Sequence, residues 1–358
     1  MAAITSKLED GNISAAVRLL CSEDTPAEFT TANLGKLQDK HPLEHMGARI
    51  PPTPDNMPAL QVSEDTVLKA IRSFPAGSAP GPDGIRPQHL LELVQSQEAG
   101  PGLLTAVTTF VNSLLDGKCH DDYQHILFGG KLIALDKKSG GIRPIVVGYA
   151  WRRLAAKCAC THATEVLLGY FSPRQVGIGV PGGCEAAVHA VRRFMEGMRG
   201  DYVVVKLDFS NAFNCLHRDF MLERVAEMVP ELYRFCHLAY SNHSSLQFGE
   251  FLVSSQVGSQ QGDPLGGLLF CLAIHPTLLS LSSPLSIGFM DDITLGGIRS
   301  VVASDVELFK AEGNKITLDL NVSITLSHGH REQASQGFLE IAPEDACLLG
   351  AIVYRKSP

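Results

Sequence analysis

Asp291 and Asp292 stand side by side immediately after the apolar run Leu285-Ser286-Ile287-Gly288-Phe289. Adjacent carboxylates in a tight turn repel each other and cost stability unless a cation lies between them. By itself the pair reads either as a solvated turn, whose residues suit turn chemistry, or as a metal site. A third acid favours the metal. Asp208, 83 residues upstream, closes the β-branched run Val203-Val204-Val205-Lys206-Leu207. Two apolar strands that each deliver an acid at one end can lie together and gather three carboxylates. Mg²⁺ prefers oxygen ligands and keeps substrate phosphates in its shell, so a few carboxylates facing a nucleotide suit it. Two such ions about 4 Å apart can activate an attacking oxygen and stabilise a leaving one in an in-line phosphoryl displacement.

The elements that must position these acids follow from periodicity. Leu285–Phe289 reads as a short buried strand, and Thr294-Leu295-Gly296-Gly297 as the start of its hairpin partner. The Val203 strand precedes a helical pattern from about Asp219 to Met228. Upstream, Ser63 can cap a helix with Val67, Leu68, Ile71 and Phe74 on one face, and Leu103 to Leu115 carries a second apolar stripe. Leu132–Leu135 and Ile142–Val147 read as a hairpin around Lys137-Lys138-Ser139-Gly140-Gly141, with another hairpin near Gln247 to Val253. Residues 1–62 are poorly patterned, with a linker-like Ile50-Pro51-Pro52-Thr53-Pro54. No repeat appears, and the order of elements is α+β rather than a regular βαβ alternation.

Composition bounds the partners. The chain has 358 residues, 45% of them hydrophobic, so one large or two intimate subdomains with a sizeable core are expected. A net charge of −8 does not suit a coat-like nucleic-acid binder. The charge is uneven, however: Lys131, Lys137, Lys138, Arg143, Arg152, Arg153 and Lys157 face Asp136 alone between residues 131 and 157, so the global acidity argues less against a localised cleft. Nine cysteines without a CxxC pair read as free thiols of a reducing, intracellular compartment. Cys119-His120 and His328-Gly-His330 have ligand-type side chains, but no second spaced pair completes either site. Met1 to Ala15 shows no secretory signal. Pro264 to Met290 lacks charge over a span-length stretch, yet Pro264, His275, Pro276 and Pro284 interrupt it. A buried helix followed by a buried strand fits better than a membrane span.

Between the acidic strands lies Gln260-Gln261-Gly262-Asp263-Pro264-Leu265-Gly266-Gly267. Glycines before a helix let backbone approach a ligand, and a helix start offers free N–H groups, although an ordinary loop would look the same. Taken in order, Leu207-Asp208-Phe209-Ser210-Asn211-Ala212-Phe213, Gln261-Gly262-Asp263-Pro264-Leu265 and Phe289-Met290-Asp291-Asp292 resemble the A, B and C motifs of reverse transcriptases. Ser78-Ala79-Pro80-Gly81-Pro82-Asp83-Gly84-Ile85 is similar to the segment that opens the polymerases of non-LTR (LINE-type) retrotransposons, and Ile142-Arg143-Pro144-Ile145 to their fingers motif. The likeness runs over roughly residues 63 to 327.

The resemblance implies a right-hand polymerase with an antiparallel palm sheet packed on helices. Residues 1–62 would be an N-terminal extension and linker, 63–200 a fingers-like region with palm elements, 201–327 the palm with the catalytic motifs, and 328–358 the palm end with a truncated thumb. It implies an RNA-directed DNA polymerase using Mg²⁺ or Mn²⁺, dNTPs, an RNA template and a DNA primer, without a membrane. Asp208 and Asp291 would hold the metal pair, with Asp292 shaping the site and the Phe209 carbonyl as an extra ligand. Arg143 with Lys137 or Lys138 would grip the triphosphate, and Gln261 and Gly262 would line the nucleotide pocket. For Lys137 and Lys138 a solvated hairpin tip is the competing reading. Phe213 would face the sugar, where an aromatic ring excludes a ribose 2′-OH, although it also suits a core position.

Three departures set expectations against the resemblance. Ile324 follows Leu320-Asn321-Val322-Ser323 where the family places a lysine that protonates pyrophosphate, and Lys315 is a candidate replacement. Little chain remains for a thumb, and nothing in residues 1–62 reads as an endonuclease, so a partner would supply either. The rival readings are an inactive or co-opted relic that keeps the palm and at most binds nucleic acid, and a metal-dependent phosphohydrolase.

Overall fold

The computed structural model describes residues 2–9, 11, 13, 16, 17, 20, 25–44, 49–54, 56–137, 140–198, 200–327, 339–340, 347–349 and 351–352. Its principal strands, in chain order, are β1 (Thr25–Pro26), β2 (Gly130–Asp136), β3 (Ile142–Gly148), β4 (Tyr202–Phe209), β5 (Ser244–Phe248), β6 (Phe251–Ser255), β7 (Leu285–Phe289), β8 (Asp292–Ile298), β9 (Leu320–Ser327) and β10 (Leu339–Glu340). The chain divides into two compact units, Met1–Ala163 with Leu222–Gly266, and Thr164–Met221 with Gly267–Pro358. Each unit mixes helices with one sheet of five of these strands.

In the first unit β2 pairs along its full length with β3, from Gly130↔Gly148 to Asp136↔Ile142. It also pairs antiparallel with β1 and parallel with β5, and β5 continues into the β6 hairpin. Strict alternation makes this sheet. Ile142, Pro144 and Val146 are buried while Arg143, Ile145 and Val147 are only partly covered. The buried face joins Leu132, Ala134, Ile142, Val146, Leu246, Phe248 and Val253 to Ala27 and Leu37. Ala27 and Leu37 come from the poorly patterned N-terminal stretch, which is tied down further along as well. The Tyr233 hydroxyl donates to the Pro51 carbonyl at 2.7 Å, and Arg234 Nε donates to the Met57 carbonyl at 2.8 Å. The helix Glu64–Arg72 starts as its sequence predicts, with the Ser63 side chain accepting from the Thr66 N–H and Val67, Ala70 and Ile71 buried.

The second unit holds a sheet in the order β10-β9-β4-β8-β7, antiparallel except for β10 on β9. Its central strand β4 is buried at Val203, Val204 and Val205 in succession, a run that suits a strand covered on both faces. Val204 and Ile287 pack with Ala187, Val188 and Val191 of the helix Gly183–Glu196. Phe209 packs on Phe270 and Phe309 of two other helices, Gly266–Ser280 and Arg299–Lys315. The stretch after Pro264 is therefore a fifteen-residue helix and then β7, and among the described residues no helix is long and apolar enough to cross a membrane.

Candidate active site

Asp208 is exposed near the end of β4, between the buried Leu207 and Phe209. Antiparallel pairing matches Leu207 with Ile293, so Asp208 and Asp292 emerge at the same end of neighbouring strands. On the other edge β9 takes an extra residue between the pairs Lys206↔Ile324 and Asp208↔Asn321. Such a bulge re-aims the residue beside it. The hairpin is tighter than expected. Phe289 pairs with Asp292, so β8 begins at Asp292 and the loop is only Met290-Asp291. Asp291 thus occupies the turn, while Asp292 is a strand residue.

A two-residue hairpin needs positive φ at its first loop position or at both. Met290 adopts φ +56°, which a bulky side chain disfavours. The buried amide of Gln175 holds it there. Gln175 Oε1 accepts from the Met290 N–H at 2.9 Å and from the Gly177 N–H at 3.0 Å, while its Nε2 donates to the Met290 carbonyl at 3.2 Å. Gly177 permits the approach, because a Cβ there would lie 2.6 Å from the Met290 nitrogen. The flanking backbone is stitched to β7 by Val176 N–H donating to the Gly288 carbonyl and Gly288 N–H donating to the Arg174 carbonyl. Sequence reasoning missed Gln175. Its only local signal is a polar amide between the turn-type residues Pro173 and Gly177.

Burial pushes the Asp291 carboxyl up to about 6, with Asp292 and Asp208 adding to the rise and its own backbone amide and Lys206 opposing it. Lys206 Nζ sits 2.7 Å from Asp292 Oδ1. Among the described residues no group of three or more His, Cys, Asp or Glu side chains is arranged to hold a metal ion. The acids still fit a divalent cation: Asp291 is destabilised by burial and like charge, and Mg²⁺ commonly takes one or two carboxylates together with substrate phosphates. The raised carboxyl predicts a pH signature. In EDTA, Asp291→Asn should melt higher than the parent chain at pH 7 and match it near pH 4. The folded carboxyl titrates above its unfolded value near 3.9, so its ionisation costs stability as pH rises from about 4 to 6, by up to about 3 kcal/mol. A melting difference independent of pH would contradict this.

The other expected residues of this unit are placed as follows. The Phe209 ring is buried, and its backbone is paired with Leu320. Asn211 takes a left-handed conformation (φ 55°), which Asn tolerates, and opens the one-turn helix Ala212–Cys215. Phe213 in that turn is half-buried, with its ring 5.1 Å from Phe270. The backbone of Ile324 lies in register with Lys206. Lys315 is paired with Glu312 at 2.6 Å on an exposed helix turn.

Lys137, Arg143, Gln261 and Gly262 belong to the first unit. Lys137 is exposed at the hairpin tip, Arg143 is half-buried on β3, and Lys138 lies outside the described residues. The structure brings the Gln261-Gly262 loop onto the same strand, since the Val146 N–H donates to the Gln261 carbonyl at 2.8 Å. Val146 is three residues, or about 10 Å, along β3 from Arg143. Gly262 has φ +113°, and a Cβ there would lie 2.3 Å from the Val146 carbonyl oxygen, so only glycine fits.

The basic stretch is smaller at the surface than its composition predicts. Arg152 is buried, bonded to the Asp263 carboxylate at 2.5 Å. Arg153 and Lys157 cover the Phe74 ring, and Arg153 also donates to the Ala79 carbonyl at 2.8 Å. Cationic side chains with long apolar stems pack inward when a buried acid, ring or carbonyl receives them. His120 caps the helix Asp121–Leu127, and His328 and His330 lie outside the described residues. Cys158, Cys236 and Cys271 are buried free thiols, and burial raises Cys158 to about 12.

A sequence model of the family described as reverse transcriptase (RNA-dependent DNA polymerase) matches residues 135–323, more than half of the chain. The matched span contains every one of these expected residues from Lys137 to Asp292. No individually curated protein matches.

Proposed function

The chain belongs to the reverse transcriptase family, and from that membership, together with the likeness of Ser78–Ile85 and Ile142–Ile145 to LINE-type polymerases, we propose that it is an RNA-directed DNA polymerase of the non-LTR (LINE) type. In the proposed reaction the primer 3′-oxygen bonds the α-phosphorus of a dNTP paired to an RNA template, and pyrophosphate leaves. The observation that carries the proposal is the electrostatic coupling of Asp291 to both Asp292 and Asp208 at one end of adjacent strands. Residues 201–327 would act as palm and 63–200 as a fingers-like region.

Mg²⁺ or Mn²⁺, when bound by Asp208 and Asp291 with Asp292 and the Phe209 carbonyl in support, would activate the attacking oxygen and stabilise the leaving one. Arg143, with Lys137 or Lys138, would offset charge on the triphosphate, as cations do in phosphoryl transfer. Gln261 and Gly262 would line the nucleotide site, and the Phe213 ring, backed by Phe270, would exclude a ribose 2′-OH.

Primer extension on an RNA template with divalent metal tests the proposal directly. DNA product from dNTPs supports it, whereas no product, or product from NTPs alone, counts against it. In the same assay Phe213→Ala is expected to raise NTP incorporation by about 10-fold or more relative to dNTPs, the scale of a small steric discrimination. Unchanged rejection of NTPs would remove Phe213 from the sugar site.

A further inference from the structure

Arg152 lies in the helix Ala150–Phe171 and is 1% exposed, among the largest fully buried side chains in the protein. One arm of its guanidinium, Nη1, donates to the Phe128 carbonyl and to Gln260 Oε1 at 2.6 Å. The other arm, Nη2, donates to Asp263 Oδ2 at 2.5 Å and to the Tyr240 hydroxyl at 3.4 Å. Each acceptor is itself held. Gln260 Nε2 donates to the Phe128 carbonyl at 2.9 Å and to Ser244 Oγ at 2.8 Å. Asp263 Oδ2 accepts from the Tyr240 hydroxyl at 3.1 Å, and its Oδ1 accepts from the Leu265 N–H at 2.9 Å.

Gln260 and Asp263 are the two residues that bracket Gln261-Gly262. One rigid, planar fork therefore grips both ends of a two-residue loop, while the Val146 N–H fixes its middle. A buried ion pair is a poor source of net stability, because desolvation offsets most of the Coulombic gain. What this one supplies is two fixed bond directions, which an apolar side chain of the same volume would not supply.

We infer that Arg152 is a positioning residue that sets the Gln261-Gly262 backbone for nucleotide binding. The inference rests on the proposed reading of that loop as part of the nucleotide site. Arg152→Lys keeps the charge and loses the fork, so it separates geometry from electrostatics.

Two readouts keep this inference distinct from the proposed activity. Amide hydrogen exchange on the whole chain should rise by about 10-fold or more at Asp263 and Leu265, whose N–H groups bond Gln260 and Asp263, in Arg152→Lys, with the β2–β3 ladder unchanged. In steady-state extension the KM for dNTP should rise about 10-fold while kcat changes by less than about 3-fold, because uniform binding is lost. Unchanged loop exchange in a folded Arg152→Lys overturns the inference. So does faster loop exchange with an unaltered KM. If the parent chain extends no primer, the proposed activity fails, and binding of a fluorescent dNTP replaces KM as the second readout. If Arg152→Lys does not fold, Tyr240→Phe, which removes one bond to Asp263, is measured instead. It should loosen the same residues by a smaller factor, and protection equal to the parent's overturns the inference.

Discussion

Asp291→Ala is expected to abolish primer extension while leaving the protein folded. The expected fall is about 10³-fold or more, the scale on which loss of one charge-stabilising group acts at a transition state. Stability should move the other way. The carboxyl is pushed up to about 6 chiefly by burial, so the parent chain carries an unfavourable charge at neutral pH that alanine removes. Opposite signs in activity and melting temperature would identify a functional carboxylate, because a substitution that merely damages the fold lowers both. The turn itself should persist, since Gln175 holds it through the backbone of Met290 rather than through Asp291. Asp208→Ala should match the loss of activity. Equal extension by parent and Asp291→Ala chains would remove these acids from the chemistry.

Gln175→Ala should produce a loss of stability on the scale of truncating a large core side chain. The side chain is fully buried, and its amide serves the Met290 N–H, the Met290 carbonyl and the Gly177 N–H. Each buried polar group left without a partner costs about 1–3 kcal/mol. The strain of the positive φ at Met290 is carried by the parent as well, so it adds nothing to the difference, and the two or three orphaned groups set the total. A total near 4 kcal/mol corresponds to a melting shift of roughly 8–16 °C for a unit of about 150 residues. Gln175→Met separates bonding from volume, because it fills the space without the amide. It should lose nearly as much as alanine, and a parent-like melt would mean that packing, not hydrogen bonding, sets the turn. Extension by either variant should be impaired well below its melting temperature, since Asp291 follows Met290 directly.

The two large predictions differ in how visible their residues are in the sequence. Asp208, Asp291 and Asp292 stand out because each lies at or just beyond the end of an apolar strand, and a two-residue period is local information. The same holds for the hairpin around Lys137, the Ser63 cap and the helix that follows Pro264. Local pattern also misleads at its edges. Thr294 looked like the start of β8, but pairing begins at Asp292, because the loop closes on two residues once Met290 accepts a positive φ. Composition says less about side-chain placement. Of the seven basic residues between 131 and 157, Arg152, Arg153 and Lys157 pack on Asp263, Phe74 and the Ala79 carbonyl.

By itself, then, the sequence determined which residues carry charge at strand ends, the order of the elements and the motifs that mark a reverse transcriptase. Tertiary structure alone decided what holds those residues still. Gln175 meets Met290 across 115 positions, and Arg152 meets Gln260 and Asp263 across 108 and 111. A buried polar side chain is stable only when specific partners satisfy it. Periodicity records which face of an element is buried, but it says nothing of a partner a hundred residues away. The Asp291 turn was legible because apolar alternation announces it; the amide that keeps it in a strained conformation became visible only when the chain had folded back upon it.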